Sequence, residues 1–385
     1  MKKLAIITTH PIQYYAPVFR LLHQRQKLDI KVFYTWGENV SAGKYDPGFS
    51  KKILWDVPLL EGYPFEWAKN SAREPGTHHF MGIVNPDLIS RINAWQPDKV
   101  LVYGWGFYSH LKVIRHFKNK ILVLFRGDST LLNEKRSIKS GLKSIFLKWL
   151  YRNIDHALYV GTNNKAYFKK YGLKDGQLTF APHAIDNKRF GAERKNEASL
   201  LRKELGLNDE DLLVLFAGKL EEKKSPLRLL NTFLNMDLAH AHLLFVGNGP
   251  LEAALKQRAK DCSNIHFIDF QNQSIMPVFY QACDLFCLPS KGPEESWGLS
   301  INEAMACGKA ILASDKVGAA ADLVVPGQNG AIFKADVLSD LANKLGSLVN
   351  EGKNELRKMG EESKIMIKYW TFEAQAAAIE KIGEQ

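Results

Sequence analysis

Short, almost wholly apolar runs alternate along the chain with longer stretches whose apolar residues recur at helical spacing. Such runs predict strands that are buried on both faces, as in parallel sheets covered by helices. The predicted strands span residues 3–9, 29–35, 98–104, 120–125, 156–161, 177–182, 211–218, 241–247, 264–269, 284–289 and 309–314. Helices are predicted between them, including residues 137–153 and residues 354–384 with a break at 370–371. The pattern predicts an α/β protein with two successive doubly wound, Rossmann-like domains.

Two segments interrupt this alternation. Residues 186–198 are polar and lack periodicity, so we predict a linker there, between a domain of residues 1–188 and a domain of residues 195–365. Residues 35–86 are rich in glycine, proline and aromatic side chains. A loop-rich aromatic segment inside an α/β domain is either a substrate surface or an irregular packed insertion.

The positive charge of the chain is concentrated in its first half. The 385 residues carry 52 Lys and Arg against 41 Asp and Glu, a net charge of +11. Residues 1–190 carry 30 minus 14, or +16, and the remaining residues carry 22 minus 27, or −5. The first half therefore either meets an anionic partner or tolerates considerable self-repulsion.

Much of this excess lies in residues 112–152, which hold 11 Lys and Arg against 2 Asp and Glu. The apolar residues that recur at helical spacing there are Ile138, Leu142, Ile145, Phe146, Trp149 and Leu150. A basic amphipathic helix that carries Trp and Phe is able to lie on an anionic membrane surface. The alternative is a domain helix with its apolar face in the core and its lysines in water. Nucleic acid is not expected as a partner, because no recognition motif accompanies the charge.

The start of the chain and its cysteines favour a soluble, intracellular protein. The first apolar run ends at Ile7, too short for a secretory signal, and no stretch approaches the roughly 20 apolar residues of a membrane span. The four cysteines are Cys262, Cys283, Cys287 and Cys307. Their spacing does not match a zinc site, so we expect small buried hydrophobes in a reducing compartment.

Candidate chemistry follows two strands of the second half, at the ends where open α/β sheets bind ligands. The first loop, after residues 211–218, contains Gly218, where the backbone can turn tightly, followed by Lys219 and Lys224. Two ammonium groups on one loop suit a diphosphate. The alternative is a solvated turn in which neighbouring glutamates pair with the lysines.

The second loop, after residues 284–289, leads into a predicted helix that starts near Ser300. The free N–H groups of Gly298, Leu299 and Ser300 are expected to point at an anion, which the helix dipole favours. Glu295 on the loop and Glu303 in the first turn could accept hydrogen bonds from sugar hydroxyls. The alternative role for Glu303 is structural, because Ser300 and Glu303 have the spacing of a capping box.

These loops resemble the motifs of retaining glycosyltransferases of the GT-B fold, family 4, also called group 1. The matching elements are the glutamates Glu295 and Glu303 separated by seven residues, a Gly-Arg-Leu-x-x-x-Lys element with Lys219 and Lys224 at its basic positions, and an interdomain element with Pro182, Asp186 and Phe190. The resemblance is close over about residues 155–335 and loose before them. It implies two Rossmann-like domains facing across a cleft, with a C-terminal helix of about residues 366–385 crossing back to the first domain.

The resemblance also implies a nucleotide diphosphate sugar as the substrate, bound mainly by the second domain without a metal or another cofactor. The implied roles are diphosphate binding by Lys219, Lys224 and the backbone of Gly298 and Leu299, ribose binding by Glu303, sugar contact by Glu295, and base packing near Phe270 and Gln271.

The first domain is expected to supply the acceptor side. His10 and Tyr14 follow the first strand, where relatives carry a glycine-rich loop, and could hydrogen-bond or stack with a sugar. Arg126 stands where many relatives have a histidine. Arginine cannot act as a base, but it can stabilise a phosphate or a leaving oxygen, and Asp128 could orient it.

The sequence thus predicts a retaining glycosyltransferase acting on a lipid-linked or other glycan acceptor in cell-surface glycan synthesis (lipopolysaccharide, exopolysaccharide or glycolipid). It is expected in the cytoplasm, peripherally associated with the inner face of the cell membrane. Two alternatives stay open. One is a sugar-nucleotide epimerase of the same fold, and the other is a non-catalytic nucleotide-sugar-binding protein.

Overall fold

A computed structural model describes residues 1–37, 44–46, 48–49, 51–132, 134, 138–236, 238, 240–292 and 295–384. The chain divides into two compact units, and neither is a single uninterrupted stretch. The first unit combines Met1–Gly43, Val57–His183 and Phe372–Gln385, and the second combines Lys44–Asp56 with Ala184–Thr371. A short piece of the first half therefore belongs to the second unit, and the end of the chain belongs to the first.

The first unit is built on a seven-stranded sheet whose neighbouring strands are all parallel. The strands are β1 (Lys2–Thr8), β2 (Leu28–Tyr34), β5 (Phe65–Trp67), β6 (Lys99–Tyr103), β7 (Leu122–Arg126), β8 (His156–Tyr159) and β9 (Leu178–Phe180), in the order β5-β2-β1-β6-β7-β8-β9. The helices are α1 (Ala16–Arg25), α2 (Leu88–Trp95), α3 (Tyr108–Phe117), α4 (Ile138–Tyr151), α5 (Thr162–Lys170) and the last helix, α14 (Phe372–Glu384), with 3-10 turns at Phe80–Gly82 and Asp175–Gln177. Two buried apolar clusters cover the sheet.

The second unit contains a six-stranded parallel sheet and a small antiparallel hairpin. The hairpin strands are β3 (Lys44–Asp46) and β4 (Lys51–Ile53), and the sheet strands are β10 (Leu212–Ala217), β11 (Ala241–Val246), β12 (Ile265–Ile268), β13 (Leu285–Leu288), β14 (Ala310–Ser314) and β15 (Gly330–Phe333), in the order β12-β11-β10-β13-β14-β15. The helices are α6 (Asn187–Gly191), α7 (Lys195–Glu204), α8 (Pro226–Leu234), α9 (Glu252–Arg258), α10 (Met276–Ala282), α11 (Leu299–Ala306), α12 (Ala320–Leu323) and α13 (Leu338–Ile367), with a 3-10 turn at Glu222–Lys224.

Both sheets have the doubly wound order, in which the chain starts centrally and later continues on the other side. The order reverses between β1 and β6 in the first sheet and between β10 and β13 in the second. Ligands of open α/β sheets bind outside the carboxyl ends of the strands at such a reversal. The two loops selected from the sequence of the second half follow β10 and β13, so they flank this reversal.

The predicted fold class of two Rossmann-like domains is confirmed, and each of the predicted strands corresponds to a strand of the structure. The strands β3, β4, β5 and β15 were not predicted. The predicted linker at residues 186–198 lies within the second unit, and most of it is helical. The side chain of Asp186 accepts a hydrogen bond from the Arg189 N–H and caps α6, while Phe190 is fully buried and packs against Tyr280. A tertiary contact therefore holds a segment that has too few residues for helical periodicity.

The last helix is fixed to the first unit by buried charges. Glu380 is almost fully buried, and its carboxylate lies 3.3 Å from the Arg25 guanidinium and 3.5 Å from the Lys27 ammonium group. The buried ammonium group of Lys99 donates to the Ile382 carbonyl at 2.8 Å. Breaking such pairs is costly in a low-dielectric interior, so the helix is held in one register.

The cysteines are free thiols in the structure. Cys283, Cys287 and Cys307 are buried and Cys262 is partly buried. Burial raises the pKa of the Cys283 thiol to about 12, which keeps it protonated. The prediction of small buried hydrophobes is confirmed for these three. Among the described residues, no helix is both long and apolar enough to span a membrane.

Candidate functional site

Two glycine turns bring the ends of β10 and β11 close together. Gly218 and Gly247 have φ values of 147° and 135°, and a Cβ on Gly247 would lie 2.1 Å from the Gly218 carbonyl oxygen. A larger residue at position 247 would therefore clash with backbone. The Gly218 N–H donates to the Val246 carbonyl at 3.0 Å, and the chain then turns out toward Lys219 and the 3-10 turn.

Lys224 and Glu295 form a direct ion pair across the reversal of the second sheet. Their side chains are only 16% and 9% exposed, so the charges interact with little screening by water. Ser290, which follows β13, donates its hydroxyl to the same carboxylate oxygen at 2.9 Å. Two residues that the sequence assigned to the site, from loops 71 positions apart, are thus brought into contact.

Lys219 does not share the position of Lys224. Its ammonium group lies 2.8 Å from Asp46 Oδ1 on the hairpin and 5.2 Å from the centre of the Phe49 ring. The two lysines therefore pair with different carboxylates. Their convergence on one diphosphate stays a prediction.

The start of α11 exposes backbone donors where the sequence predicted an anion site. Gly298 is the N-cap residue, with a φ of 97°, and its backbone lies against Val317 and Leu288. The N–H groups of Gly298, Leu299 and Ser300 have no hydrogen-bond acceptor among the residues that the structure describes. Pro293 and Glu294 of this loop lie outside those residues. Unpaired N–H groups at a helix start are suited to bind phosphate oxygens.

The capping box is wrong as an explanation of Glu303. Ser300 is the second helical residue, and Gly298 holds the cap position without a side-chain cap. The buried carboxylate of Glu303 instead accepts hydrogen bonds from the Tyr280 hydroxyl at 2.8 Å and the Gln273 amide at 3.4 Å. Glu303 is therefore held in one orientation, and its ribose-binding role stays a prediction.

Phe270 and Gln271 follow β12 on the same edge of the sheet. The Phe270 N–H donates to Asn248 Oδ1 at 2.8 Å, which fixes this loop to the turn after β11. The Phe270 ring is 4.9 Å from Phe49 and 6.0 Å from Trp55 between centroids. The predicted base-binding surface is thus in contact with two aromatic rings of the Lys44–Asp56 segment.

Arg126 ends β7 in the first unit and is only 2% exposed. Its guanidinium donates to the Ala181 carbonyl at 2.8 Å and the Pro182 carbonyl at 3.2 Å, while Nε has no hydrogen-bond partner among the residues whose positions are described. These contacts fix the chain after β9. They favour a structural role for Arg126 over the predicted contact with a leaving group.

Asp128 was predicted to orient Arg126, but the hydrogen bonds described for Arg126 go to Ala181 and Pro182. Its carboxylate lies 3.9 Å from Nε2 of the buried His183. Burial, and then the charge of Arg126, lower the pKa of His183 well below its usual value, so the ring is neutral at pH 7. His183 is a further polar residue at this edge that the sequence did not single out.

His10 and Tyr14 lie in the turn after β1 and are partly buried. The hydroxyl of Thr9 is 3.0 Å from His10 Nδ1, and Trp36 meets the His10 ring edge-on at 5.6 Å. His10 is therefore held by its neighbours, and its role toward a sugar stays a prediction.

Three contact residues of the second unit were missed by sequence reasoning: Asp46, Tyr280 and Ser290. Ser290 directly follows a predicted strand, so the same strand-end argument could have selected it. Tyr280 lies within a helix, and its hydroxyl carries no spacing signal. Asp46 reaches the site from the first half of the chain, and no local pattern indicates this.

Residues 198–366 match the model of the family "Glycosyl transferases group 1". This range is less than half of the chain, but it contains Lys219, Lys224, Glu295 and Glu303. The curated proteins to which this chain is similar include two named glycosyltransferases, which are compared in turn. The D-inositol 3-phosphate glycosyltransferase of Nocardia farcinica is 28% identical over 202 residues, which are 49% of this chain and 43% of the relative. These matches confirm the resemblance to group 1 glycosyltransferases.

The second relative is the GDP-mannose-dependent monoacylated alpha-(1-6)-phosphatidylinositol monomannoside mannosyltransferase of Corynebacterium glutamicum. It is 27% identical over 209 residues, 52% of this chain and 55% of the relative. The chain thus spans about half the length of these curated relatives. Among solved structures, Anabaena HepE in complex with UDP and glucose is similar over all of both chains, with a TM-score of 0.74 and 17% identity. This likeness supports the GT-B fold class.

Proposed function

We propose that this protein is a glycosyltransferase that moves a sugar from a nucleotide diphosphate sugar to a hydroxyl acceptor. The observation that carries the proposal is the Lys224–Glu295 ion pair beside the N–H groups of Gly298 and Leu299, for which the described part of the chain offers no acceptor. It lies at the reversal of the second sheet and within the range that matches the group 1 family. The GDP-mannose dependence of the Corynebacterium glutamicum relative and the UDP bound to HepE support a nucleotide sugar as the donor class.

In the proposed reaction, the bond between the anomeric carbon and the diphosphate oxygen breaks while the acceptor oxygen forms a bond to that carbon. The nucleoside diphosphate leaves with the electron pair, and its departing oxygen takes the proton that the acceptor hydroxyl loses. Lys219, Lys224 and the N–H groups at the start of α11 would stabilise the negative charge that develops on the diphosphate. Retention of the anomeric configuration is part of the proposal.

The direct test is a screen of UDP-, GDP-, ADP- and dTDP-sugars by thermal shift, because a specific ligand stabilises the fold by mass action. Donors that stabilise the protein are then assayed for sugar transfer and slow hydrolysis, with and without a chelator, since we expect no metal requirement. Release of nucleoside diphosphate supports the proposal. Conversion of a donor to its epimer would favour an epimerase, and binding without turnover would favour a non-catalytic binding protein.

We further propose that the acceptor is lipid-linked or membrane-embedded, since α4 carries an apolar stripe that faces solvent. Leu142, Ile145 and Trp149 are 67%, 69% and 38% exposed, while Leu147 and Leu150 on the same helix are buried. Spacings of three and four residues put the exposed three on one face of the helix. A domain helix with its apolar face in the core therefore explains the buried residues of α4. It does not explain the apolar residues that α4 exposes to solvent.

Basic side chains surround this stripe. The exposed Lys143 and Lys148 lie on α4, and the Arg115 guanidinium is 5.4 Å from the centre of the Trp149 ring. Lys135 and Arg136 of the predicted basic stretch lie outside the described residues, as does the side chain of Lys139. An apolar stripe with flanking cations fits an anionic bilayer surface, where the rings insert and the ammonium groups meet lipid phosphates.

We expect the double variant Lys143→Glu/Lys148→Glu to reduce co-sedimentation with vesicles containing phosphatidylglycerol by at least about tenfold, because each cation near such a surface contributes about 1 kcal/mol. Leu142→Ser/Ile145→Ser should also weaken binding, and high salt should weaken the wild type. The control is Leu200→Ser, a leucine that is 58% exposed on α7 of the second unit. Unchanged sedimentation of both double variants would contradict the membrane proposal.

A further inference from the structure

The Lys44–Asp56 segment follows the first-unit strand β2 in the chain but belongs to the second unit. Its two short strands, β3 and β4, pair antiparallel with Asp46 opposite Lys51. The backbone of Gly48 lies so close to Lys219 that an added Cβ would meet the lysine side chain at 2.5 Å. The segment thus rests directly on a residue of the proposed diphosphate site.

The carboxylate of Asp46 is held at Lys219 by several contacts. In addition to the 2.8 Å contact with the ammonium group, Asp46 Oδ1 accepts hydrogen bonds from the N–H groups of Gly48 at 2.9 Å and Phe49 at 3.4 Å. Partial burial opposes ionisation, but Lys219 and these N–H groups outweigh it and hold the pKa of Asp46 below its usual value. Asp46 is therefore an anion at neutral pH, and it neutralises Lys219.

Aromatic and polar contacts fix the rest of the segment over the loop after β12. Phe49 and Trp55 pack edge-on against Phe270, where the base was predicted to bind. Asn272 donates to the Leu54 carbonyl at 2.6 Å. An anion and aromatic rings thus occupy the two surfaces that a nucleoside diphosphate would use.

We propose that Asp46 is a determinant of donor affinity, because it pairs with Lys219 and is displaced from it when a nucleoside diphosphate binds. This inference rests on the proposed function. A diphosphate and the Asp46 carboxylate cannot both take the same close position on one ammonium group. Donor binding therefore includes the cost of breaking the Asp46–Lys219 pair, and the hairpin acts as an internal competitor.

The test compares Asp46→Asn with the matched variant Asp56→Asn. Asparagine at position 46 keeps an oxygen for the Gly48 N–H but loses the charge that competes for Lys219. Asp56 lies on the same segment and accepts hydrogen bonds from Ser274, so it contacts no cation of the site. By calorimetry with UDP, GDP, ADP and dTDP, we expect Asp46→Asn to bind the preferred nucleotide about twofold to fivefold more tightly, the range of a partly exposed ion pair, and Asp56→Asn to bind like wild type.

Hydrogen exchange provides a second readout. Saturating nucleotide should accelerate amide exchange at Gly48, since its N–H loses the Asp46 carboxylate as acceptor, while the loop after β10 becomes protected. Slower exchange at Gly48 would overturn the inference, because it would mean that the hairpin closes over the nucleotide. Equal affinity of wild type and Asp46→Asn would overturn it as well. If neither protein binds UDP, GDP, ADP or dTDP, the proposed function itself fails.

Discussion

Replacement of Lys224 by alanine is expected to reduce the rate of sugar transfer by about a hundredfold to a thousandfold, the usual effect of removing one donor that stabilises developing negative charge. Lys224 is 16% exposed and pairs with Glu295, so its charge acts in a poorly hydrated environment. The loss should be seen in kcat more than in KM, because the interaction strengthens as the diphosphate leaves.

The pair also requires a stability measurement, because removal of one partner leaves a buried charge. Glu295→Ala would leave Lys224 uncompensated at a cost of about 3–5 kcal/mol. Glu295→Gln also removes the charge but keeps an amide oxygen as acceptor for Ser290 and Lys224, so it should destabilise the fold less than Glu295→Ala while still losing activity. The free energy of unfolding of Lys224→Ala, Glu295→Gln and the double variant then separates folding from turnover.

Lys291→Ala is the matched control for this experiment. Lys291 lies one residue after Ser290, but it is exposed and pairs with the exposed carboxylate of Glu222 at 3.4 Å. Such surface pairs contribute little, so turnover should change less than twofold. If Lys224→Ala folds normally and retains wild-type kcat, the assignment of this pair to the active site is wrong.

The sequence predicts this site well wherever the chemistry follows directly from a strand end. Lys219, Lys224 and Glu295 each lie in a loop that leaves the carboxyl end of a buried parallel strand, and strand order brings such loops together. The sequence does not predict that Lys219 pairs with Asp46 and Lys224 with Glu295. The Asp46–Lys219 pair depends on a hairpin that lies about 170 residues before Lys219 in the chain. No local sequence pattern encodes a contact at that distance.

The strands that the sequence analysis missed likewise depend on neighbouring strands of the sheet rather than on a local pattern. The strand β5 has Glu66 at its centre and β15 begins at Gly330, so neither is recognised as an apolar run. They form because a neighbouring strand supplies hydrogen-bond partners, as β14 does for Gly330 opposite Ile311. Long apolar runs such as β10 are recognised from sequence because their burial on both faces determines their composition.

Replacement of Arg126 by methionine is expected to lower the free energy of unfolding by about 3–5 kcal/mol, since two hydrogen bonds from a charged group contribute about 1.5–3 kcal/mol each. The variant keeps the apolar stem but leaves the buried carbonyls of Ala181 and Pro182 without donors. Urea unfolding followed by tryptophan fluorescence measures the effect. Arg115→Met, an exposed arginine on α3, should change it by less than about 0.5 kcal/mol.

Arg126→Lys distinguishes this structural role from the catalytic role that the sequence suggested. A lysine presents one compact ammonium group and cannot bridge two carbonyls as the guanidinium fork does, so we expect an intermediate loss of stability. At a temperature where the variant is folded, kcat should stay within about threefold of wild type, because Arg126 is buried against backbone rather than open to substrate. A stable Arg126→Lys protein with a hundredfold lower kcat would instead mean that the guanidinium leaves these carbonyls during turnover and acts on the departing diphosphate.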